Sequence, residues 1–482
     1  MKNLKIILRD TGAVLIAVGI VIIFASFIPI IFKEYFAISW IGLTSLIHIL
    51  LGIIFYSIGK SANEPKIRHA MITAALSWLI ISLISSIPFY FIEKIDFLSA
   101  FFESVSGWTG TGLTMFSSPE NLHKTIQFWR SYIQWIGGVG VIVLTLVVLA
   151  RPGTGSFTLY RSEAREEKIK PSIISTVKTI WWIFLLYTII GILALCIAGM
   201  SPWEAINHGM TAIATGGFSI KRNSMASYPT TIQILLAPLM IAGAIAFAAH
   251  YEIFRKRIKK FFKDVQTQAL FILLFSGAFL LAYMNIKNMA YQNFWISFKY
   301  SAFQFTSALT CTGFSTVNIA LWSKEAKLLL SLAMIVGGAA GSTAGGIKLF
   351  RLILLAKGVK WKIRRIFLPA KSTFAYKLGG KVLRRDEAIE EIGEAAIVSF
   401  LWAFLLVIGI FVILHLTNES LENAIFEVCS AQGNVGLSVG ITSLNMNPIA
   451  KFMLILNMWV GRLEIIPILV LIRNVIKGGK PF

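Results

Sequence analysis

Four stretches of thirteen residues hold the residue types that could do chemistry: "AFFESVSGWTGTG" (100–112), "AINHGMTAIATGG" (205–217), "SAFQFTSALTCTG" (301–313) and "AIFEVCSAQGNVG" (424–436). Each ends on a glycine. Leu or Phe and then a hydroxyl follow it: Leu113-Thr114, Phe218-Ser219, Phe314-Ser315 and Leu437-Ser438. The fourth position is Glu103, His208, Gln304 or Glu427, and the seventh is Ser106, Thr211, Ser307 or Ser430. The chemistry on offer is that of backbone. Glycine lets a chain turn its carbonyls to one side, a conformation costly for any residue with a Cβ. Four such bends around one axis stack carbonyls into rings, and such rings replace the water shell of an alkali cation. A single loop of this kind reads more readily as an ordinary extracellular turn; four aligned copies argue for a shared axis.

Such bends need walls. The chain has 482 residues, 56% hydrophobic and 14% charged, too few charges for a water-facing surface. Apolar segments near 11–32, 38–58, 71–92, 131–150, 178–199, 231–253, 268–287, 326–356, 395–416 and 449–472 approach the length that crosses a bilayer. The first is too long for a cleaved leader and reads as a retained helix. The net charge of +22 is concentrated at segment ends, including "RKRIKKFFK" at 255–263 and the stretch from Lys348 to Arg385. Basic loops mark the cytoplasmic side. Ten crossings put every basic cluster, Arg161 to Lys170 among them, and both termini on that side; nucleic acid is an unsuitable partner for charge so placed. Non-helical backbone at membrane depth is tolerated only where protein buries it or water is lined by it.

The expected architecture is all-α and polytopic: four span–pore helix–span repeats around a central pore, after two extra spans. The units are 1–69 (leading helices), 70–170, 171–265, 266–388 (with a gate loop and a basic segment) and 389–482. The pore helices would aim their partly negative C-terminal ends at the axis, favouring a cation.

The segment "GGAAGSTAGG", Gly337 to Gly346, is a poor helix. It reads as close helix packing or as a flexible loop across the pore, with Gly337, Gly338, Gly341, Ser342, Thr343, Gly345 and Gly346 as its elements. Arg462 lies near the middle of the last span, where a charge must be paired or wet. Glu464 is two residues on and off its face. Arg462 therefore forms a structural ion pair or faces the pore, bonding gate-loop carbonyls as a positive barrier. Glu103, Glu422 and Glu427 attract cations to the mouth, or the fourth position braces helix against loop; bracing is the favoured reading. Cys196, Cys311 and Cys429 are too scattered for a disulfide framework or a metal site and read as small buried residues.

The four repeats, the T-x-G type loops and the glycine-rich break in the third repeat resemble the Trk/Ktr/HKT superfamily of potassium transporters, along essentially the whole chain. The two leading helices make it most similar to the Trk-type bacterial potassium uptake membrane subunit. The resemblance implies potassium uptake across the bacterial cytoplasmic membrane through filter carbonyls of Gly110, Thr111 and Gly112; Thr215, Gly216 and Gly217; Cys311, Thr312 and Gly313; and Asn434, Val435 and Gly436. Either Gly216 or Gly217 is the key glycine of the second loop, and the G-F-S tail favours Gly217. A serine in the first filter marks sodium-carrying members, and Gly112 stands there instead. The fourth loop departs most, with Asn434-Val435. One motif glycine per loop means fewer carbonyl rings, from which weaker rejection of Na⁺ and carriage of Rb⁺ are expected. The resemblance also implies the intramembrane gate at 337–346, a homodimer and a cytosolic ring of nucleotide-binding regulatory subunits.

K⁺ is the expected transported ion, and no cofactor is expected on this chain. "GGAAGSTAGGIK" lacks the order of a phosphate-binding loop. With 6 His and no H-E-x-x-H pair, the chain is not expected to be an enzyme. The alternative is a Na⁺- or H⁺-coupled secondary symporter; such folds use inverted repeats, whereas these four run parallel.

Overall fold

The computed structural model describes residues 2–63, 65–149, 173–369, 374–379 and 381–477. The basic cluster from Arg161 to Lys170 lies outside them. The leading pair is a helix over Lys2–Ile22, continued through a 3-10 turn at Ile23–Ser26 to Ile31, and a second over Phe36–Gly59. They cross where glycine admits backbone against backbone: a Cβ on Gly12 would lie 2.6 Å from the Gly52 carbonyl.

Each repeat then supplies an outer helix, a short pore helix and an inner helix. The outer helices are Ile67–Ile84 with its continuation Ile87–Ile92, Ile173–Ile197, Val265–Lys287 and Arg385–Leu416. The pore helices are Phe97–Thr109, Pro202–Ile213, Phe294–Leu309 and Leu421–Gln432. Three of them begin at a side-chain cap: Asp96, Ser201 and Asn293 accept from the amides of Ser99, Glu204 and Trp295, satisfying donors that a helix start leaves orphaned. At 13, 12, 16 and 12 residues, they fall short of the ~20 needed to cross.

The inner helices differ from the expected single spans. The first runs unbroken from Lys124 to Leu149. The second bends by 105° between Thr230–Ala244 and Phe247–Phe254, and the fourth by 111° between Pro448–Leu463 and Ile466–Lys477. The third stops at Val336 and restarts as Leu349–Ile366. Among the described residues, six helices are long and apolar enough to cross singly, and the two bent pairs bring this to eight. These match eight of the ten expected segments. Of the other two, 326–356 is divided by the glycine-rich loop, and the described part of 131–150 falls in the first inner helix.

The basic segment after Ile366 contains an antiparallel hairpin, Tyr376–Leu378 with Lys381–Leu383, which the charge pattern gave no reason to expect. Cys311 and Cys429 are buried as read, whereas Cys196 is half-buried; all three are free.

Candidate functional site: four loops closed into a ring

The four loops have one backbone trace. The residue two before each closing glycine is left-handed: Gly110 (φ +67°), Thr215 (+48°), Cys311 (+56°) and Asn434 (+52°). So is the closing glycine: Gly112 (+89°), Gly217 (+72°), Gly313 (+85°) and Gly436 (+96°). By backbone trace Gly217, rather than Gly216, is the equivalent of Gly112, Gly313 and Gly436. Three non-glycine residues hold a left-handed conformation at equivalent positions, which costs about 1–3 kcal/mol each and persists only where surrounding structure imposes it.

The loops also meet in cyclic order. A Cβ on Gly112 would lie 2.1 Å from the Gly216 carbonyl oxygen, one on Gly217 1.8 Å from that of Thr312, one on Gly313 1.9 Å from that of Val435, and one on Gly436 2.3 Å from that of Thr111. Each closing glycine is covered by the carbonyl before the next closing glycine, and the fourth returns to the first. No side chain fits at any of the four contacts, so the ring explains all four glycines together.

The amides are drawn away from the ring. In every loop the residue before the closing glycine donates its N–H to the backbone oxygen of the seventh-position residue: Thr111 to Ser106, Gly216 to Thr211, Thr312 to Ser307 and Val435 to Ser430, each at 2.9 Å. Ser106 and Ser430 also accept from the amides of Gly112 and Gly436 through their hydroxyls, both at 3.0 Å. The hydroxyl thus has this task in the first and fourth loops, whereas Thr211 Oγ1 donates to the Phe218 oxygen at 3.0 Å instead.

The fourth position braces helix to loop, as favoured from its recurrence. Glu103 accepts from Thr114 Oγ1 (2.9 Å), the Met115 amide (2.8 Å) and Arg130 Nε (2.7 Å). His208 Nε2 bonds Ser219 Oγ at 2.9 Å, and Gln304 Nε2 donates to Ser315 Oγ at 3.1 Å. Glu427 accepts from Ser438 Oγ at 2.7 Å and the Val439 amide at 3.0 Å. In each repeat the partner is the hydroxyl that follows the closing glycine. Glu422 instead lies 3.6 Å from surface Lys324.

Residues Gly337 to Gly346 pack against the start of these loops. The Gly346 amide donates to the Gly433 oxygen at 3.1 Å, and a Cβ on Gly345 would lie 2.1 Å from that same oxygen. Thr343 Oγ1 lies 3.1 Å from the oxygen of Ile213, 2.9 Å from that of Gly243 and 3.1 Å from Thr215 Oγ1. The bend of the second inner helix accommodates the segment: the Ala339 amide donates to Ala244 at 2.9 Å and the Phe247 amide to Gly341 at 3.0 Å. Ser342 Oγ closes a local turn on the Ala339 oxygen at 2.6 Å. Gly337, Gly341 and Gly346 have positive φ, and Gly338 packs its Cα against Ala244 and Ala344.

Arg462 joins this segment. Its Nη1 donates to the Thr343 oxygen at 2.8 Å, and Nη2 donates to those of Gly137 (2.8 Å) and Gly138 (3.1 Å). Glu464 pairs with Arg351 instead. The guanidinium therefore bonds backbone carbonyls from the third-repeat loop and the first inner helix.

One recurring position escaped the reading of the sequence. The fourth residue of each inner helix is Gln127, Gln233, Lys327 or Lys451. Gln127 Nε2 donates to the oxygens of Pro119 and Glu120, both at 3.1 Å; Gln233 Nε2 to those of Met225 (2.9 Å) and Tyr228 (3.0 Å); Lys451 Nζ to that of Leu444 (2.7 Å). A long donor one turn into each inner helix, about fifteen residues past the closing glycine, was the available signal.

Residues 39–480 match the family model for TrkH, described as a cation transport protein. The chain belongs to the TrkH family. It is 36% identical over 477 residues to an uncharacterized cation transporter of Methanocaldococcus jannaschii, covering 98% of this chain and 95% of that one. It is 32% identical over 425 residues to the Trk system potassium uptake protein TrkH of Escherichia coli, covering 86% of each. Among solved structures it is similar to the potassium transporter TrkH from Vibrio parahaemolyticus, with a TM-score of 0.84, 26% identity and coverage of 97% of this chain and 98% of that one. This TrkH-family chain is a helical, multi-pass membrane transporter and not an enzyme.

Proposed function

We propose that this TrkH-family chain takes up potassium, and that K⁺ passes along the axis of the four-loop ring. The observation that carries this reading is the cyclic closure of Gly112, Gly217, Gly313 and Gly436 on the carbonyls of the next loop. The filter consists of the backbone at 110–112, 215–217, 311–313 and 434–436, where the amide before each closing glycine is engaged away from the ring. Backbone oxygens, with no side-chain charge among them, suit a monovalent ion that must bind and leave. A membrane potential supplies ~2.3 kcal/mol per charge per 100 mV for inward movement.

The segment at 337–346 is the gate, and Arg462 is its latch and a positive barrier on the axis. The protein resides in the cytoplasmic membrane with both termini inside. It works as a homodimer with a cytosolic nucleotide-binding ring. The exposed basic residues of 254–263 and 357–385, among them Lys259, Lys260, Lys360 and Arg364, are its docking face.

Purified protein in vesicles tests the core of this reading. A potential-driven, saturating flux of K⁺ or Rb⁺ that needs no Na⁺ is expected. Strict dependence on a co-transported ion would replace the pore by a symporter.

A further inference from the structure

One ring carbonyl differs from the other three. Gln134, on the first inner helix and fully buried, donates from Nε2 to the Gly216 oxygen at 2.6 Å. Its Oε1 accepts from the Phe218 amide at 3.0 Å. The side chain therefore spans Gly217, gripping the second loop on both sides of its closing glycine. The two partners fix the orientation of the amide, since only its nitrogen can donate to a carbonyl. The same contact explains the glycine that the repeat does not require. Equivalent positions hold Thr111, Thr312 and Val435, but a Cβ on Gly216 would lie 2.6 Å from the Gln134 amide carbon and oxygen.

We propose that Gln134 is a specificity-determining residue of the filter, acting by positioning the Gly216 carbonyl. This rests on the reading of the ring as a potassium filter. A carbonyl that already accepts a hydrogen bond has one lone pair engaged and its direction set. It follows a smaller ion inward less readily than a carbonyl held only by its chain. A cation such as Na⁺, which needs the ring to contract, is thereby disfavoured relative to K⁺. The clamp comes from the repeat-one helix while the carbonyl belongs to repeat two, so it also fixes the first two loops relative to each other.

The test compares Gln134→Met, which keeps the length and removes both hydrogen bonds, with Gln134→Glu, which keeps an acceptor for the Phe218 amide. The zero-current potential of vesicles under a K⁺/Na⁺ gradient gives the ion ratio, and thermal melting confirms folding. Gln134→Met is expected to lower the K⁺/Na⁺ ratio by about three- to tenfold, the scale of one net hydrogen bond. A second arm uses the clash: Gly216→Ala is expected to abolish selective flux, and adding Gln134→Ser is expected to restore part of it. An unchanged ion ratio in either folded Gln134 variant overturns the inference. A wild-type protein with no K⁺ preference at all overturns the filter reading instead, before any variant is compared.

Discussion

Arg462 Nη1 donates to the Thr343 carbonyl at 2.8 Å, linking the fourth inner helix to the loop that interrupts the third. The same guanidinium reaches the first inner helix through Gly137 and Gly138. Three repeats are thus tied by one charged group, while the second is reached through Thr343 Oγ1 and the Gly243 oxygen.

If this arrangement is a closed gate, removing the latch opens it. Hydrogen bonds from a charged donor contribute about 1.5–3 kcal/mol each, and ~1.4 kcal/mol already shifts an equilibrium tenfold. Arg462→Ala is expected to raise K⁺ or Rb⁺ flux at least tenfold in a protein that still melts cooperatively. Arg462→Lys is expected to fall between, because one ammonium cannot span the Thr343 and Gly137 oxygens together. Flux at the wild-type level in a folded Arg462→Ala protein would remove the residue from the gate.

The closing glycines allow a second test. At Gly313 a Cβ would sit 1.9 Å from the Val435 oxygen, and φ is +85°. Serine there must push the fourth loop outward. Gly313→Ser is expected to reduce K⁺/Na⁺ discrimination by about tenfold or more, equivalent to at least ~1.4 kcal/mol. Serine at Gly440 serves as the control: it too has positive φ, at +100°, but nothing lies within 4 Å of its Cβ position. Equal ion ratios in the two proteins would argue that the ring is not the filter.

The ring was legible because its signals are local. A glycine at a fixed distance from a small residue, a hydroxyl at the seventh position and a polar fourth position recur four times within thirteen residues. The bends of the second and fourth inner helices were not read from the sequence, although Pro467, two residues past Ile465, is a local sign of the fourth-helix break. One falls at Ile245-Ala246, and the other at Glu464 (φ +61°) and Ile465 (φ +67°), with neither glycine nor proline at the turn. Tertiary bonds hold both: residues 337–346 on Ala244 and Phe247, and Arg351 on Glu464. Intrinsic propensity is a weak prior that such contacts override. Gln134 was hidden for the same reason, since its partners lie 82 and 84 residues away.

The two buried glutamates behind the loops differ in partner, so their substitutions should differ in cost. Glu103 pairs with Arg130 at 2.7 Å, both fully buried, and Arg130 also donates to the Ser219 oxygen at 2.9 Å and lies 4.1 Å from the Phe218 ring centre. Removing one member of a buried pair costs about 3–5 kcal/mol, since the other charge is left uncompensated. Glu427 accepts from hydroxyls and amides of its own loop. Glu103→Leu is therefore expected to lower the melting temperature well below that of Glu427→Gln, and to be partly rescued by Arg130→Met. A larger loss for Glu427→Gln would contradict this assignment.

The leading pair of helices contacts the first repeat through Glu34. Its carboxylate accepts from the amides of Lys124 and Thr125, at 2.8 and 2.9 Å, at the start of the first inner helix. It thus serves as a helix cap supplied from outside the repeat, and a carboxylate at a helix start also meets the positive end of the dipole. Loss of a cap costs about 0.5–2 kcal/mol. Glu34→Ala is expected to lower the melting temperature by a few degrees while leaving the K⁺/Na⁺ ratio intact, because the ring contacts lie elsewhere. A changed ion ratio would mean that the leading pair acts on the filter.

Arg462 and Thr343 allow a stricter test than either alone. The Thr343 carbonyl takes the guanidinium, while its hydroxyl bonds the Ile213 and Gly243 oxygens. Thr343→Val removes the hydroxyl bonds and keeps the carbonyl, so on its own it is expected to raise flux less than Arg462→Ala. If both groups hold one two-state segment, the two changes are not additive: once the segment is released, the second has little left to release. Residues in contact or in one network show such coupling at about 0.5–3 kcal/mol. The double variant is therefore expected to conduct little more than Arg462→Ala. Full additivity of the two effects on log flux would mean that Arg462 and Thr343 act on separate elements, and the segment at 337–346 would not move as one gate.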